Sequence, residues 1–253
     1  VFFNTARFIG PALAGVIITK WGVGHAFVFN SVTFLVFLLA LSRLRLPFRE
    51  EFTRKRQSLG AQLIEGYRYV VGHPGIGPIL GMLLATAVLA RPVGDLLPGF
   101  AGAVFENGAV GLAWLTSGMG FGSMIAAFGV AQRGHVSGLT RMAVANTMLT
   151  GVALMAFALA PTFWLALVVL GIGSFAMTIT GISSQSLVQN AVDGSLRGRV
   201  ISIYGMIFRA GPATGALILG ILSENFGWHW PMATSAALCL GIWVWGRRRL
   251  KTM

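Results

Sequence analysis

Four charged side chains stand inside long apolar stretches of this sequence, where they could take part in chemistry. They are Arg7, Arg209 and the pair Arg91 and Asp95. An arginine in such a place can bind an anionic group, and a carboxylate near an arginine can take up and release a proton. Because Arg91 and Asp95 are spaced i, i+4, we expect them on one helix face and within reach of each other. These residues predict a pathway for a charged compound or for protons.

The composition predicts that the apolar stretches lie in a membrane. Of the 253 residues, 55% are hydrophobic and 10% charged, and the mean hydropathy is +0.77, whereas soluble domains carry about 25% charged residues. The net charge of +12 does not indicate nucleic-acid binding, because the basic residues form short clusters between apolar runs. The single cysteine, Cys239, excludes an internal disulfide framework.

Continuous apolar runs predict membrane-spanning helices, since roughly 20 apolar residues cross a bilayer. Helices also satisfy every backbone polar group within the segment, as lipid requires. The predicted spans number eight, at 2–19, 23–41, 76–97, 109–131, 142–160, 162–184, 201–221 and 231–245. The segment 58–71 carries apolar residues at helical spacing beside polar ones. It is interpreted either as an amphipathic helix at the cytoplasmic face or as a helical start to the third span.

Basic residues mark every second connection between the predicted spans. Arginine and lysine cluster at 43–56, 133–141 and 197–199 and in the C-terminal tail. The connections after the third, fifth and seventh spans carry neither. Because cytoplasmic loops are enriched in these residues, the pattern predicts a cytoplasmic C-terminus.

Two glycine-proline motifs indicate an internal repeat. "RFIGPALAG" in the first span resembles "RAGPATG" in the seventh, and each is followed by an aromatic-glycine pair and a further span. The repeat therefore has a period of six spans, which is typical of transporters built from two parallel halves. Since two such halves contain twelve helices, we expect four more helices before Val1, so that the chain is a fragment.

The same motifs suggest a mechanical role. Proline removes a backbone hydrogen bond and kinks a helix, and glycine lets a neighbouring helix approach closely. Such contacts suit halves that rock against each other, and they suit static packing equally. The residues concerned are Gly10, Pro11, Gly15, Gly211, Pro212 and Gly215.

The depth of the charged residues favours a role in a substrate pathway. Arg209 follows Arg199 by about three helical turns, which places it roughly 15 Å into a core of roughly 30 Å. Arg7 occupies the equivalent place in the repeat. Buried ion pairing or snorkelling to the cytoplasm is the alternative for both. Together with Arg91 and Asp95, the polar span residues Asn30 and Asn146 complete the candidate pathway.

Three motifs in the same order resemble one transporter family. "GPALAG" in the first span resembles the glycine-proline signature of the fifth helix in antiporters of the major facilitator superfamily. "DGSLRGRVISIYGM" resembles the segment between its tenth and eleventh helices, and "EGYRYVVGHP" the start of the seventh helix in its enterobactin-exporter-like branch. The resemblance implies an all-α polytopic membrane bundle, whose eight helices are equivalent to helices 5 to 12 of twelve.

The resemblance also implies a division of the chain. Residues 1–42 would be the last two helices of the N-terminal half, 43–57 a basic cytoplasmic linker, and 58–253 the C-terminal six-helix half. Loops such as the one carrying Asp193, Arg197 and Arg199 resemble a cytoplasmic gate that ties the halves together in one conformation. Breaking this gate should shift the balance between inward-facing and outward-facing states.

We therefore expect a secondary transporter that exports a small amphiphilic or anionic compound, of drug or siderophore type, by proton-coupled alternating access. The full-length protein is expected to be a monomer in a bacterial inner membrane, with protons and a small molecule as its partners. A lysophospholipid or lipid carrier and a non-transporting truncated membrane protein are the alternatives. No motif of a nucleophilic, metal-dependent or phosphate-binding site occurs in the sequence, so no enzymatic activity, metal or cofactor is expected.

Overall fold

The computed structural model describes residues 2–44, 59–73, 75–133, 138–192 and 194–249, and helices account for most of them. The helices are α1 Phe2–Trp21, α2 Val23–Ser42, α3 Leu59–Gly72, α4 Ile76–Leu89, α5 Val93–Gly99, α6 Gly108–Arg133, α7 Leu139–Ala158, α8 Phe163–Ala191, α9 Gly194–Phe226 and α10 His229–Arg249, with a π-helical turn at Phe100–Val104 between α5 and α6.

Membrane-spanning helices dominate the described residues, as the composition predicted. Segments that are long and apolar enough to cross a bilayer are Val23–Ser42, Ile76–Val104, Gly108–Arg133, Leu139–Ala158, Phe163–Asn190 and Gly198–Phe226. The first and eighth predicted spans also form helices, α1 and α10, of 20 and 21 residues. The all-helical membrane architecture is therefore confirmed for the described residues, and the count of eight spans stays a prediction.

The third predicted span is interrupted beside Pro92. Helix α4 ends at Leu89, residues 90–92 form a turn and α5 begins at Val93. Proline has no backbone N–H and its ring disfavours a preceding helical turn. The amides of Ala90 and Arg91 both donate to the carbonyl oxygen of Thr86, at 2.9 and 3.2 Å. Arg91 thus lies in the turn and Asp95 in α5, and not on one continuous helix as their spacing predicted.

Two helices extend well beyond their predicted spans. Helix α9 has 33 residues and begins at Gly194, while α8 continues past residue 184 to Ala191. At about 1.5 Å per residue α9 is roughly 50 Å long, which exceeds a hydrocarbon core of roughly 30 Å. The C-terminal extension of α8 and the N-terminal extension of α9 lie at the basic connection between these helices, and α9 also continues beyond residue 221 to Phe226.

The amphipathic segment forms a helix of its own, α3, which packs on α9 and α4. His73 follows its last turn. The imidazole Nδ1 accepts hydrogen bonds from the backbone N–H groups of Gly75 and Ile76, both at 3.2 Å. A helix start leaves such N–H groups without intrahelical partners. His73 therefore caps α4 and separates α3 from the third span. The structure supports a distinct amphipathic helix over a continuous helical entry into that span.

The main hydrophobic core joins α5, the π-helical turn, α6, α7, α8 and α10. The rings of Phe100 and Phe157 lie at its centre with their centroids 4.7 Å apart, and neither residue is more than 1% exposed. Helix α2 has no buried residue, as expected of a helix whose apolar side chains face lipid. The core positions α6 and α8 as one side of a cavity that α5 and α9 complete.

Candidate functional site

A cavity of about 870 Å³ lies between α5, α6, α8 and α9. Cavities of about 300–1,000 Å³ hold drug-sized molecules. The wall combines charged, polar and apolar groups, so that it suits an amphiphilic ligand. Besides the charged residues, the lining side chains include Thr116, Met119, Ser174, Met177, Thr178 and Gln185.

Three charged residues singled out in the sequence meet in this cavity. Arg91 from the turn before α5, Asp95 from α5 and Arg209 from the middle of α9 all line it. Arg91 is partly buried, whereas Asp95 and Arg209 are exposed to the cavity and its opening. The described lining residues include two guanidinium groups and one carboxylate. At neutral pH the cavity therefore carries excess positive charge.

Arg91 is held between α8 and α9. Its guanidinium carbon lies 3.9 Å from the ring centroid of Phe208, a cation–π contact. Phe208 stacks on Tyr204, with centroids 5.7 Å apart and planes at 25°. The Tyr204 hydroxyl donates to the carbonyl oxygen of Gly181 at 3.4 Å. A Cβ at Gly181 would lie 2.8 Å from Arg91 Nη2, so the guanidinium occupies space that this glycine leaves.

A cluster of hydroxyl groups joins α6 and α8 beside the cavity. The hydroxyl groups of Ser123 and Ser174 are hydrogen-bonded at 2.7 Å, and Thr178 donates to Ser123 Oγ at 3.0 Å. Ser123 is fully buried, while Ser174 and Thr178 line the cavity. In an apolar surrounding an unpaired hydroxyl is costly, so the cluster favours this one pairing of α6 with α8.

Glycines bring the helices around the cavity into close contact. At Gly211 a Cβ would lie 2.7 Å from Ala87 Cβ on α4, and at Gly215 it would overlap the carbonyl oxygen of Val88. At Gly15 a Cβ would lie 2.7 Å from Ala113 Cβ on α6. Around Gly10, in contrast, no described atom lies within 4 Å of that position. Pro212 lies inside α9, which continues through it, and lines the cavity.

An ion pair missed in the sequence lies at the start of α9. Arg199 Nη1 contacts Glu65 Oε1 on α3, and the helices approach closely there because Gly66 lies beside Arg199 Cβ. The expected gate placed Arg199 with Asp193 and Arg197. The contact between Arg199 and Glu65 lies within the segment expected to form the C-terminal half. Asp193 and the side chain of Arg197 lie outside the described residues.

The remaining predicted pathway residues do not line the cavity in the part of the chain that the structure describes. Asn30 is exposed on α2. Asn146 Nδ2 donates to the carbonyl oxygen of Met142 on its own helix, at 2.9 Å. The side chains of Arg7 and Pro11 lie outside the described residues.

Sequence reasoning missed the aromatic side of the cavity. Tyr204 and Phe208 are spaced i, i+4 on α9 and precede Arg209, which is the one signal that could have indicated them. Aromatic residues are common on lipid-facing surfaces of spans, so this spacing alone did not distinguish a cavity wall from a lipid contact. Contact with Arg91 identifies these rings as part of the cavity wall, and Arg91 lies far from them in the sequence.

Comparison with known proteins identifies the family to which this chain belongs. A family model described as transmembrane secretion effector matches residues 1–253. The multidrug efflux pump Tap of Mycolicibacterium fortuitum is 26% identical over 250 residues, which cover 96% of this chain and 59% of that protein. The enterobactin exporter EntS of Escherichia coli (strain HS) is 23% identical over 240 residues, covering 94% and 56%. The chain thus spans little more than half the length of these relatives.

Proposed function

The chain belongs to the transmembrane secretion effector family of the major facilitator superfamily, and on that premise we propose that it is part of a secondary active efflux transporter. The compound carried is a small amphiphilic or anionic molecule. Both relatives are named as exporters, one of drugs and one of enterobactin. An integral membrane protein of this family acts by moving a solute across the bilayer, with no chemical change in the solute.

The cavity is the observation that carries this proposal. Arg91, Asp95 and Arg209 come from separate parts of the sequence and line one space. Charge inside a membrane protein is costly and marks a pathway for ions or polar solutes. Two arginines favour a negatively charged group, and the methionine and aromatic side chains beside them favour an apolar body. An amphiphile with an anionic group fits both.

The proposed topology follows from the repeat and from the relatives' greater length. The described helices other than α3 form eight spans, with α4, α5 and the π-helical turn as one of them, equivalent to helices 5 to 12 of twelve. Residues 1–42 complete the N-terminal half, 43–57 link the halves, and 58–253 form the C-terminal half. We place the monomeric protein in a bacterial inner membrane with a cytoplasmic C-terminus, since basic connections face the cytoplasm.

Proton coupling through Asp95 is a further part of the proposal. When Asp95 is ionised it offsets one of the two arginines, and when it is protonated both positive charges act on the cavity. Proton occupancy therefore changes the charge that the substrate meets, so that the binding of proton and substrate is thermodynamically linked. Alternating exposure of the cavity then converts this linkage into transport.

The test uses the complete protein, including any sequence beyond this chain, in inverted membrane vesicles with radiolabelled drugs and siderophores as candidate substrates. We expect Arg209→Gln to lower the transport of anionic substrates about tenfold or more, because a hydrogen bond to a charged group contributes about 1.5–3 kcal/mol. Arg141→Gln, on an exposed position of α7, is the matched control and should transport like wild type.

Asp95→Asn tests the coupling separately. We expect substrate binding to persist and the dependence of transport on a pH gradient to disappear. Wild-type transport by both the Arg209 and the Asp95 variants would refute the assignment of this cavity. Movement of lysophospholipids in preference to drugs and siderophores would instead identify a lipid carrier.

A further inference from the structure

We propose that Phe208 and Gly181 are positioning residues for Arg91, and that together they hold its guanidinium where it selects for negative charge in the cavity. This inference rests on the proposed function, because it assigns a chemical preference to the same site. It goes further by naming residues that act through Arg91 and by separating a charge-selective role from a packing role.

The aromatic side of this arrangement is itself fixed in place. Phe208 lies against the guanidinium, with 3.9 Å from its ring centroid to the guanidinium carbon, and its ring also stacks on that of Tyr204. Tyr204 is buried, with 7% exposure, and its hydroxyl donates to the Gly181 carbonyl oxygen. The contacts therefore run from Arg91 to Phe208, Tyr204 and Gly181 and return to Arg91.

Gly181 confines the guanidinium from the other side. A Cβ there would be 2.8 Å from Arg91 Nη2 and 3.9 Å from Phe208 Cε2. A nitrogen–carbon separation of 2.8 Å is shorter than van der Waals contact, so any larger residue would displace the arginine. The surface of α8 and the ring on α9 thus form the two walls of a slot. The turn at Pro92 presents Arg91 to this slot.

The slot matters because arginine has a long and flexible side chain. Confinement reduces the number of rotamers that the free Arg91 side chain can adopt. The side chain therefore loses less conformational entropy when an anion binds, an effect known as preorganisation. It also keeps the positive charge at one place in a cavity that contains a carboxylate, Asp95. If the ring or the free space at Gly181 is lost, the charge moves and the cavity loses part of its preference for anions.

A purely structural role for the slot, as a clamp between α8 and α9, predicts something different. Loosening a clamp changes access to the cavity for every reagent to the same extent. Moving a charge changes the access of anionic and cationic reagents in opposite directions. A ratio of the two rates therefore separates the roles, and it needs no knowledge of the substrate.

The experiment measures that ratio in the complete protein, with Cys239 and any cysteine outside this chain replaced by alanine. A single cysteine is introduced at a cavity-lining position, as Thr178→Cys or in a second series as Thr116→Cys. Each is reacted with the anionic sulfonatoethyl methanethiosulfonate and with the cationic trimethylammonioethyl methanethiosulfonate. The readout is the rate with the anion divided by the rate with the cation.

We expect Arg91→Gln to lower this ratio about fivefold or more, from the loss of a unit charge at short range in a partly hydrated cavity. Phe208→Leu and Gly181→Ala should each lower it about threefold, because the charge is displaced but not removed. Phe208→Tyr, which keeps the aromatic ring, should retain the wild-type ratio. The matched glycine control is Gly205→Ala on α9, where no described atom lies within 4 Å of the added carbon.

Several outcomes would overturn the inference. One is an unchanged ratio in Phe208→Leu and Gly181→Ala while Arg91→Gln lowers it. Another is an equal change in both rates, which would identify a clamp. A ratio insensitive to Arg91→Gln, or no labelling at either cysteine, would show that this charge does not act on solutes in the cavity. A lowered ratio together with transport unaffected by all these variants would sustain the positioning role and refute the assignment of this cavity as the substrate pathway.

Discussion

Replacing Gly215 by alanine tests the contact that joins α9 to α4 beside the cavity. A Cβ added there would overlap the carbonyl oxygen of Val88 and lie 2.5 Å from Pro92 Cγ. Both obstacles are rigid, one a backbone carbonyl and the other a proline ring. The added methyl group can therefore be accommodated only if α9 moves away from the turn that carries Arg91.

The expected cost is set by two opposing terms. Overpacking of this kind destabilises a fold by about 1–3 kcal/mol, whereas alanine favours a helix over glycine by about 0.5–1 kcal/mol. Gly220, five residues further on α9, has no described atom within 4 Å of an added Cβ. Gly220→Ala therefore experiences only the favourable term. Because Gly215→Ala gains that term as well, the two variants should differ in stability by the overpacking cost alone, about 1–3 kcal/mol.

The assay is thermal unfolding of the detergent-solubilised complete protein. About 1 kcal/mol corresponds to about 2–4 °C for a chain of 150–250 residues and to less for a longer one. We expect Gly215→Ala to unfold below wild type and Gly220→Ala at or above it. Equal unfolding temperatures for the two variants would refute the close approach of α4 and α9. Because Arg209 and Pro212 lie on the same stretch of α9, Gly215→Ala should also lower transport at temperatures at which it remains folded.

Two further interactions give measurable expectations. Glu65 is exposed and Arg199 partly buried, so water partly screens the pair. Its coupling should be about 0.2–1 kcal/mol in a double-mutant cycle of Glu65→Gln and Arg199→Gln on thermal stability, and zero coupling would make the contact incidental. Ser123→Ala should destabilise the protein by about 1–3 kcal/mol, because Thr178 and Ser174 then lose their buried partner. Thr178→Val, which removes the donor and leaves the pair of serines bonded, should cost less, and the reverse order would contradict this account of the cluster.

The positions of the spans were predictable because lipid imposes a local rule. A segment in lipid must satisfy its own backbone hydrogen bonds and must be apolar over roughly 20 residues, and both conditions are read within one segment. Predicted and observed helices accordingly agree closely at α1, α2, α6 and α10. The agreement is poorer at α8 and α9, whose ends lie outside the apolar region. Outside the apolar region, hydropathy does not indicate where a helix ends.

The break beside Pro92 shows where local reasoning failed. The sequence around it is continuously apolar, so hydropathy predicts one span from 76 to 97 and the spacing of Arg91 and Asp95 predicts one face. Proline at 92 was the available signal, since a residue before proline is disfavoured in a helix. Proline also occurs inside α9 at Pro212, where the helix continues. The sequence around a proline alone therefore does not distinguish a break from a helix that continues.

The sequence by itself determined the class of protein, the approximate positions of the helices, the two glycine-proline motifs and the identity of the charged residues inside the apolar runs. Composition, hydropathy and short motifs are properties of neighbouring residues. Only the tertiary structure decided that Arg91, Asp95 and Arg209 line one cavity, that Phe208 and Gly181 hold the first of them, and that Arg199 contacts Glu65. These contacts join helices that are far apart along the chain. They depend on how the helices pack. Steric fit at glycines and the pairing of buried polar groups together determine that packing, and the sequence of a single segment does not contain it.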